Sequence, residues 1–175
     1  MAFRVLVADP PWKFNDKLPG PTRGAERNYE CMTVEQIRTF PIPKMLPDSI
    51  LFLWQVASMQ QAALDVAEGW GYAVKSEIVW VKRTKTGKPW FGMGRYVRAA
   101  HETCLVATRG KAASYVLDHG VRSVFEAKVS GHSVKPDAFY ALVEQLVRGP
   151  RAEIFARKRR AGWTQFGDQL EPEGK

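Results

Sequence analysis

Six short apolar runs, each closed off by turn or polar residues, recur along this chain and leave it few folds to choose from. They cover residues 3–8, 50–55, 74–81, 103–108, 123–127 and 152–156. Runs of this length with such boundaries read as buried strands. Helix patterns fall between them. Thr33 followed by Gln36 has the spacing of a capping box, and Ile37 and Phe40 continue an apolar face. Residues 58–68 are rich in helix formers and stop at Gly69. Pro136 reads as a first-turn proline ahead of Phe139, Leu142, Val143 and Leu146, whose spacing is that of one helix face. Strands alternating with helices predict an α/β layered fold with a mostly parallel sheet flanked by helices. In such sheets ligands sit beyond the carboxyl ends of the strands. No repeat, low-complexity tract or linker is visible, so residues 1–175 are expected to form a single domain.

Charge narrows the class of partner. Lys and Arg number 26 against 18 Asp and Glu, a net charge of +8 that favours a polyanion: nucleic acid first, an acidic membrane second. The most apolar run, residues 50–54, is far too short to span a bilayer, and the first residues lack the apolar core of a signal peptide. Cys31 and Cys104 show no CxxC pairing, which removes a disulfide scaffold and a zinc ribbon. The expectation is a soluble cytoplasmic protein with no membrane partner. His101-Glu102 begins like a zinc-protease helix, but Leu105 stands where the second His must be. With His119 and His132 scattered elsewhere, no metal is expected. Gly92-Met93-Gly94 lacks the third glycine of a dinucleotide fingerprint, no P-loop exists, and no serine has a nucleophile-elbow context. Hydride, phosphoryl and acyl transfer each lack their machinery.

Two features remain. Residues 13–32 and 82–98 are loop-like stretches longer than most connections. The second holds Lys82, Arg83, Lys85, Lys88, Arg95 and Arg98 with no acidic residue, interleaved with Trp90, Phe91 and Tyr96. That mixture suits phosphate neutralisation with base stacking, and equally a solvated loop whose aromatics fold onto the core. The other feature is Asp9-Pro10-Pro11-Trp12, directly after the first strand. The prolines stiffen the turn that presents the carboxylate. The amino nitrogen of adenine is a poor nucleophile because its lone pair is delocalised into the ring. Asp9 and a proline carbonyl accepting its two N–H bonds would aim that lone pair at an electrophile, with Trp12 and Tyr29 stacked on the base. The alternative is a strand-ending turn with Trp12 in the core.

The chain resembles the DPPW-type adenine N6-methyltransferases, the family of the eukaryotic mRNA adenosine methyltransferase and of phage and bacterial DNA adenine methyltransferases. The match runs through ADPPW at 8–12, NYECMTVEQI at 28–37, ILFLW at 50–54, GWGY at 69–72, EIVWVK at 77–82, HETCLVATRG at 101–110, HSVKPDAFYALVEQL at 132–146 and EIFARKRRAGWTQFGDQL at 153–170. The resemblance implies a Rossmann-like, S-adenosylmethionine-dependent fold with permuted motif order, the amine-holding motif coming first and the cosubstrate strand last. It assigns Asp9, Pro10 and Trp12 to the catalytic pocket, with Pro11 completing the motif, and Tyr29 to the acceptor base; the composition of the basic loop adds Lys85, Lys88, Trp90 and Arg95 as candidate substrate contacts. Asp9, Lys135, Arg157, Arg159, Asp168 and Gln169 fall at cosubstrate positions, with Lys135 at the cosubstrate carboxylate. Asp168 stands where the family more often has Asn, and Arg159 where the eukaryotic enzyme has His. The implied reaction is direct methyl transfer to adenine N6 without metal or covalent intermediate. The short chain sets DNA ahead as acceptor. RNA is the alternative, and a catalytically silent nucleic-acid-binding subunit is another. A homodimer or a methyltransferase partner subunit is the expected assembly.

Overall fold

The computed structural model describes residues 1–13, 31–94, 96–130, 134–168 and 170. Among them seven strands form one sheet: β1 Phe3–Ala8, β2 Met45–Gln55, β3 Ala73–Arg83, β4 His101–Arg109, β5 Val124–Lys128, β6 Arg151–Ile154 and β7 Thr164–Phe166. Three α-helices, α1 Val34–Arg38, α2 Gln60–Gly69 and α3 Asp137–Leu146, cover it. The strand order is β5-β3-β4-β2-β1-β6-β7. All neighbouring pairs are parallel except those of β4, which runs against both β2 and β3.

Period-two alternation divides each apolar run between two layers. Leu6, Leu51, Leu53, Ala152 and Ile154 pack with Ile37 of α1 and Ala63, Val66 and Ala67 of α2. Val5, Val7, Ile50, Phe52 and Trp54 pack with Phe139, Tyr140 and Val143 of α3. Both faces of the central strands are therefore buried, which is why their sequences read as continuous apolar runs. The expected mostly parallel sheet flanked by helices is the observed one. No helix among the described residues is long and apolar enough to cross a membrane.

Local signals acted mostly as anticipated. Thr33 Oγ1 accepts from the Gln36 amide at 3.2 Å, and Gln36 Oε1 accepts from the Thr33 amide at 2.8 Å, closing the capping box that starts α1. Pro136 differs by one position: its backbone is extended and α3 begins at Asp137, so it is the residue before the first turn. Gly69 is the last residue of α2, and the left-handed turn falls on Gly71 at φ +80°. Gly69 serves a close approach instead, because a Cβ there would stand 2.6 Å from Cγ of Arg38 on α1. The short polar strand β7 carries no run that periodicity could flag.

Strand β3 runs on to Arg83, into the stretch read as a loop. Beyond it the chain turns back sharply, with the Trp90 amide donating to the Lys82 carbonyl at 3.2 Å and the Lys82 amide to the Ala100 carbonyl at 2.9 Å.

Candidate active site

Strand β1 has β2 on one side and β6 on the other, so the chain order diverges at its carboxyl end. Register aligns Ala8 with Leu53 and Ile154, bringing three carboxyl ends level. Such a switch point is where open α/β sheets hold ligands, and Asp9 is the next residue. The Trp12 amide donates to the Pro10 carbonyl at 2.9 Å, closing a tight turn about Pro11. The Pro11 carbonyl accepts from the Met32 amide at 2.8 Å, tying the turn to the start of α1.

Trp12 is only 4% exposed, and its indole Nε1 donates to the Trp54 carbonyl at 3.0 Å. The stacking expected of Trp12 gives way to core packing, since burying the indole and satisfying its N–H fastens the Asp9 turn to β2. Tyr29, the other stacking residue anticipated from the sequence, lies outside the described residues.

Behind Asp9 lies a compact set of charges. Lys135 Nζ is 3.0 Å from Asp9 Oδ1 and 3.0 Å from Glu102 Oε2, and Lys82 Nζ is 2.5 Å from Glu102 Oε1. The Lys135 ammonium also sits 4.8 Å from the centre of the Trp54 ring. Burial acts to pull the Lys135 ammonium down, but Asp9 and Glu102 outweigh it and hold it above its ordinary value. Burial likewise pushes Glu102 up, yet Lys135 and Lys82 together keep it below the usual carboxylate value. Lys135 and Glu102 are thus both charged near neutrality. Two of the three donors of Lys135 are turned to protein carboxylates.

A small, open cleft lies beside Asp9, lined among others by Lys135, Tyr140, Glu153, Arg157 and Arg160. The Tyr140 hydroxyl donates to Glu153 Oε1 at 2.5 Å and Gln165 Nε2 donates to Oε2 at 2.7 Å. Burial raises Glu153 above its ordinary value in spite of these donors, and it drives the Tyr140 hydroxyl up as well. Arg160 lies 3.6 Å over the Tyr140 ring and donates to Asp137 Oδ1 at 2.8 Å, while its buried Nε has no partner among the described residues.

The chain leaves β6 through Phe155 at φ 59°, a conformation rare for a side chain of that size. Gly167 then packs directly on this bend: a Cβ there would fall 2.2 Å from the Ala156 carbonyl oxygen. That contact sets Arg157 and Asp168 on adjoining backbone. Asp168 and Arg159 are exposed. Gln169 lies outside the described residues.

The basic loop resolves into two kinds of cation. Lys82 is paired with Glu102, and Arg83 makes a two-pronged pair with Glu126 at 2.6 and 3.0 Å. Those two do not supply the nucleic-acid grip expected of the whole stretch, because carboxylates on neighbouring strands already neutralise them. Lys85 and Lys88 are exposed and form no ion pair among the described residues. Trp90 is half-buried, whereas Phe91, Met93, Tyr96 and Val97 are 75%, 77%, 91% and 78% exposed. Folding onto the core therefore describes Trp90 alone. Arg95 lies outside the described residues.

Sequence reasoning passed over Glu102, Glu153, Tyr140 and Arg160. Glu102 was visible only as part of a failed zinc motif, and the other three carry no spacing signal.

Comparison with known proteins gives the family. The MT-A70 family model matches residues 3–169. The chain is 32% identical over 177 residues to an Arabidopsis thaliana protein named N(6)-adenosine-methyltransferase MT-A70-like, covering 96% of this chain and 24% of that one. It is 31% identical to the human N(6)-adenosine-methyltransferase catalytic subunit METTL3, over 97% of this chain and 28% of the relative. It is 29% identical to the N6-methyladenosine RNA methyltransferase MTA1 of Cryphonectria parasitica, over 96% of this chain and 52% of the relative. The chain spans about a quarter to a half of the length of these relatives. With the family model running through nearly all of it, from residue 3 to residue 169, the chain belongs to the MT-A70 family.

Proposed function

We propose that this domain transfers the methyl group of S-adenosylmethionine to N6 of adenosine in RNA. The observation that carries the reading is Asp9: a carboxylate on a proline-stiffened turn, at the switch point of the sheet, beside a cleft lined by Lys135, Arg157 and Arg160. The donor set fits the cosubstrate. Cations along one side of the cleft match a carboxylate, while Asp9 and Glu153 match the positive charge of an ammonium or sulfonium. Arg157 and Asp168 are the groups that would hold the ribose, and Arg160 brings an unsatisfied Nε to the same wall. When bound, S-adenosylmethionine supplies a methyl group activated by its sulfonium.

The protein's part is orientation. Lys135 engages Asp9 Oδ1, and Oδ2 accepts an N–H of the adenine amine, drawing the nitrogen out of conjugation so that its lone pair faces the cleft. The Pro10 carbonyl accepts the Trp12 amide through one lone pair and offers the other to the second N–H. Trp12 and Trp54 keep water from the back of the site. The expectation of DNA as acceptor rested on chain length, whereas the relatives' names specify adenosine and RNA, which moves the reading to its alternative. An intact Asp9 site favours a working enzyme over a silent subunit, and the human relative's description as a catalytic subunit supports action alongside a partner chain.

Incubation with methyl-labelled cosubstrate and an RNA pool, followed by nuclease digestion, tests the reading. Label should appear as N6-methyladenosine. Label on another base or on protein alone would overturn it.

A further inference from the structure

The charges behind Asp9 form a row that alternates in sign. Lys82 meets Glu102 at 2.5 Å, Glu102 meets Lys135 at 3.0 Å, and Lys135 meets Asp9 at 3.0 Å. Each member comes from a different segment: Lys82 from β3, Glu102 from β4, Lys135 from just before α3 and Asp9 from just after β1. Antiparallel register sets Trp80 opposite Glu102, so Lys82, two residues on, is its diagonal neighbour on the same face. Lys82 also lies 5.1 Å over the Trp80 ring, and its backbone holds the stem of the loop that follows.

The arithmetic of the row gives Lys82 a task. Two carboxylates share the one ammonium of Lys135, whose side chain is 9% exposed. Glu102 has a second cation in Lys82. Without it the whole charge of Glu102 would fall on Lys135 and draw it away from Asp9, because attraction in a poorly solvated site is strong. We propose that Lys82 is a positioning residue for methyl transfer: it satisfies one oxygen of Glu102, so that Lys135 stays centred on Asp9. It touches neither acceptor nor cosubstrate. The proposal rests on the reading of Asp9 as the amine acceptor.

Four variants of the full chain test it: Lys82→Met, Lys82→Arg, Glu102→Gln and the double Lys82→Met/Glu102→Gln. In Lys82→Met, kcat should fall on the order of 10- to 100-fold, the cost of a misplaced reacting group. KM for RNA should hold within about twofold, because Lys82 makes no contact with the acceptor strand. Lys82→Arg keeps the charge and should recover most of kcat. The double variant should be no slower than Glu102→Gln alone, since Lys82 acts only through Glu102.

Carbon NMR titration of the carboxyl groups gives a readout without substrates. Glu102 is faced by Lys82 and Lys135; Asp9 is faced by Lys135, and its charge helps raise Glu153, Tyr140 and Cys104 nearby. Lys82→Met should move the Glu102 titration upward and leave Glu153 in place. Should Lys82→Met fail to fold, the double variant removes the uncompensated carboxylate and serves in its stead.

Three results would overturn the proposal: kcat within about twofold of wild type in Lys82→Met, additive losses in the double variant, or an unmoved Glu102 titration. A wild-type protein that transfers no methyl group would defeat the reading of Asp9, while the titration still decides the role of Lys82.

Discussion

Lys82 and Lys135 on one side, Lys85 and Lys88 on the other, are the same residue type in opposite physical states. The first two are 18% and 9% exposed and share Glu102 and Asp9 at hydrogen-bond distance. The second two stand in water on a tight turn and form no ion pair among the described residues. A buried, paired ammonium fixes geometry, and removing it leaves its partners stranded. A solvated one acts at range, is screened by salt, and matters to a polyanion only through the counterions it displaces. The basic stretch that looks uniform in sequence thus divides into a buried charge row reaching Asp9 and a solvated surface.

Breaking the row should cost most. Asp9→Ala removes the proposed acceptor for the amine and should lower turnover on the order of 10²-fold or more, with folding retained. Near-normal turnover in a labelled-methyl assay would move the acceptor site elsewhere. Lys135→Met leaves Asp9 and Glu102 facing one another, and denaturant unfolding should show a loss of about 3 kcal/mol or more.

Acidity and alkalinity probe the same row. Glu102 is held below its ordinary value of 4.5. Its contribution to stability is therefore present above pH 4.5 and lost as pH falls through its folded value. Lys135 is held above 10.5, so its contribution is present below pH 10.5 and lost as pH rises through its folded value. Thermal melting across pH should show both limbs, and Glu102→Gln should flatten the acid one. An unchanged acid limb in that variant would place the titrating group elsewhere.

The surface should yield the smallest effect. Lys85→Ala/Lys88→Ala should reduce the slope of log affinity against log salt by about 1.5 units, as expected for two lost phosphate contacts. Cosubstrate affinity should be unaffected. Equal slopes for the variant and wild type would remove these lysines from the acceptor path.

What the sequence made legible follows from range. Strands buried on both faces announce themselves as apolar runs, and a capping box is written in four residues, Thr33 to Gln36. Asp9-Pro10-Pro11-Trp12 was legible because its prolines dictate local geometry. Glu102 and Lys82 were not, since their contact depends on the register of β3 against β4, which shifts between Val74 and Ser76. The fate of Trp12 turned on a carbonyl forty-two residues away, and β7 is three residues long. Neither leaves a periodic trace.

The most direct test presents one adenine-containing sequence as matched RNA and DNA strands in the same reaction, with wild-type protein and Asp9→Asn run in parallel. After digestion to nucleosides, mass spectrometry should find N6-methyladenosine from the RNA strand with wild type only. Methylated deoxyadenosine in excess, or equal product from Asp9→Asn, would contradict an Asp9-held adenosine in RNA.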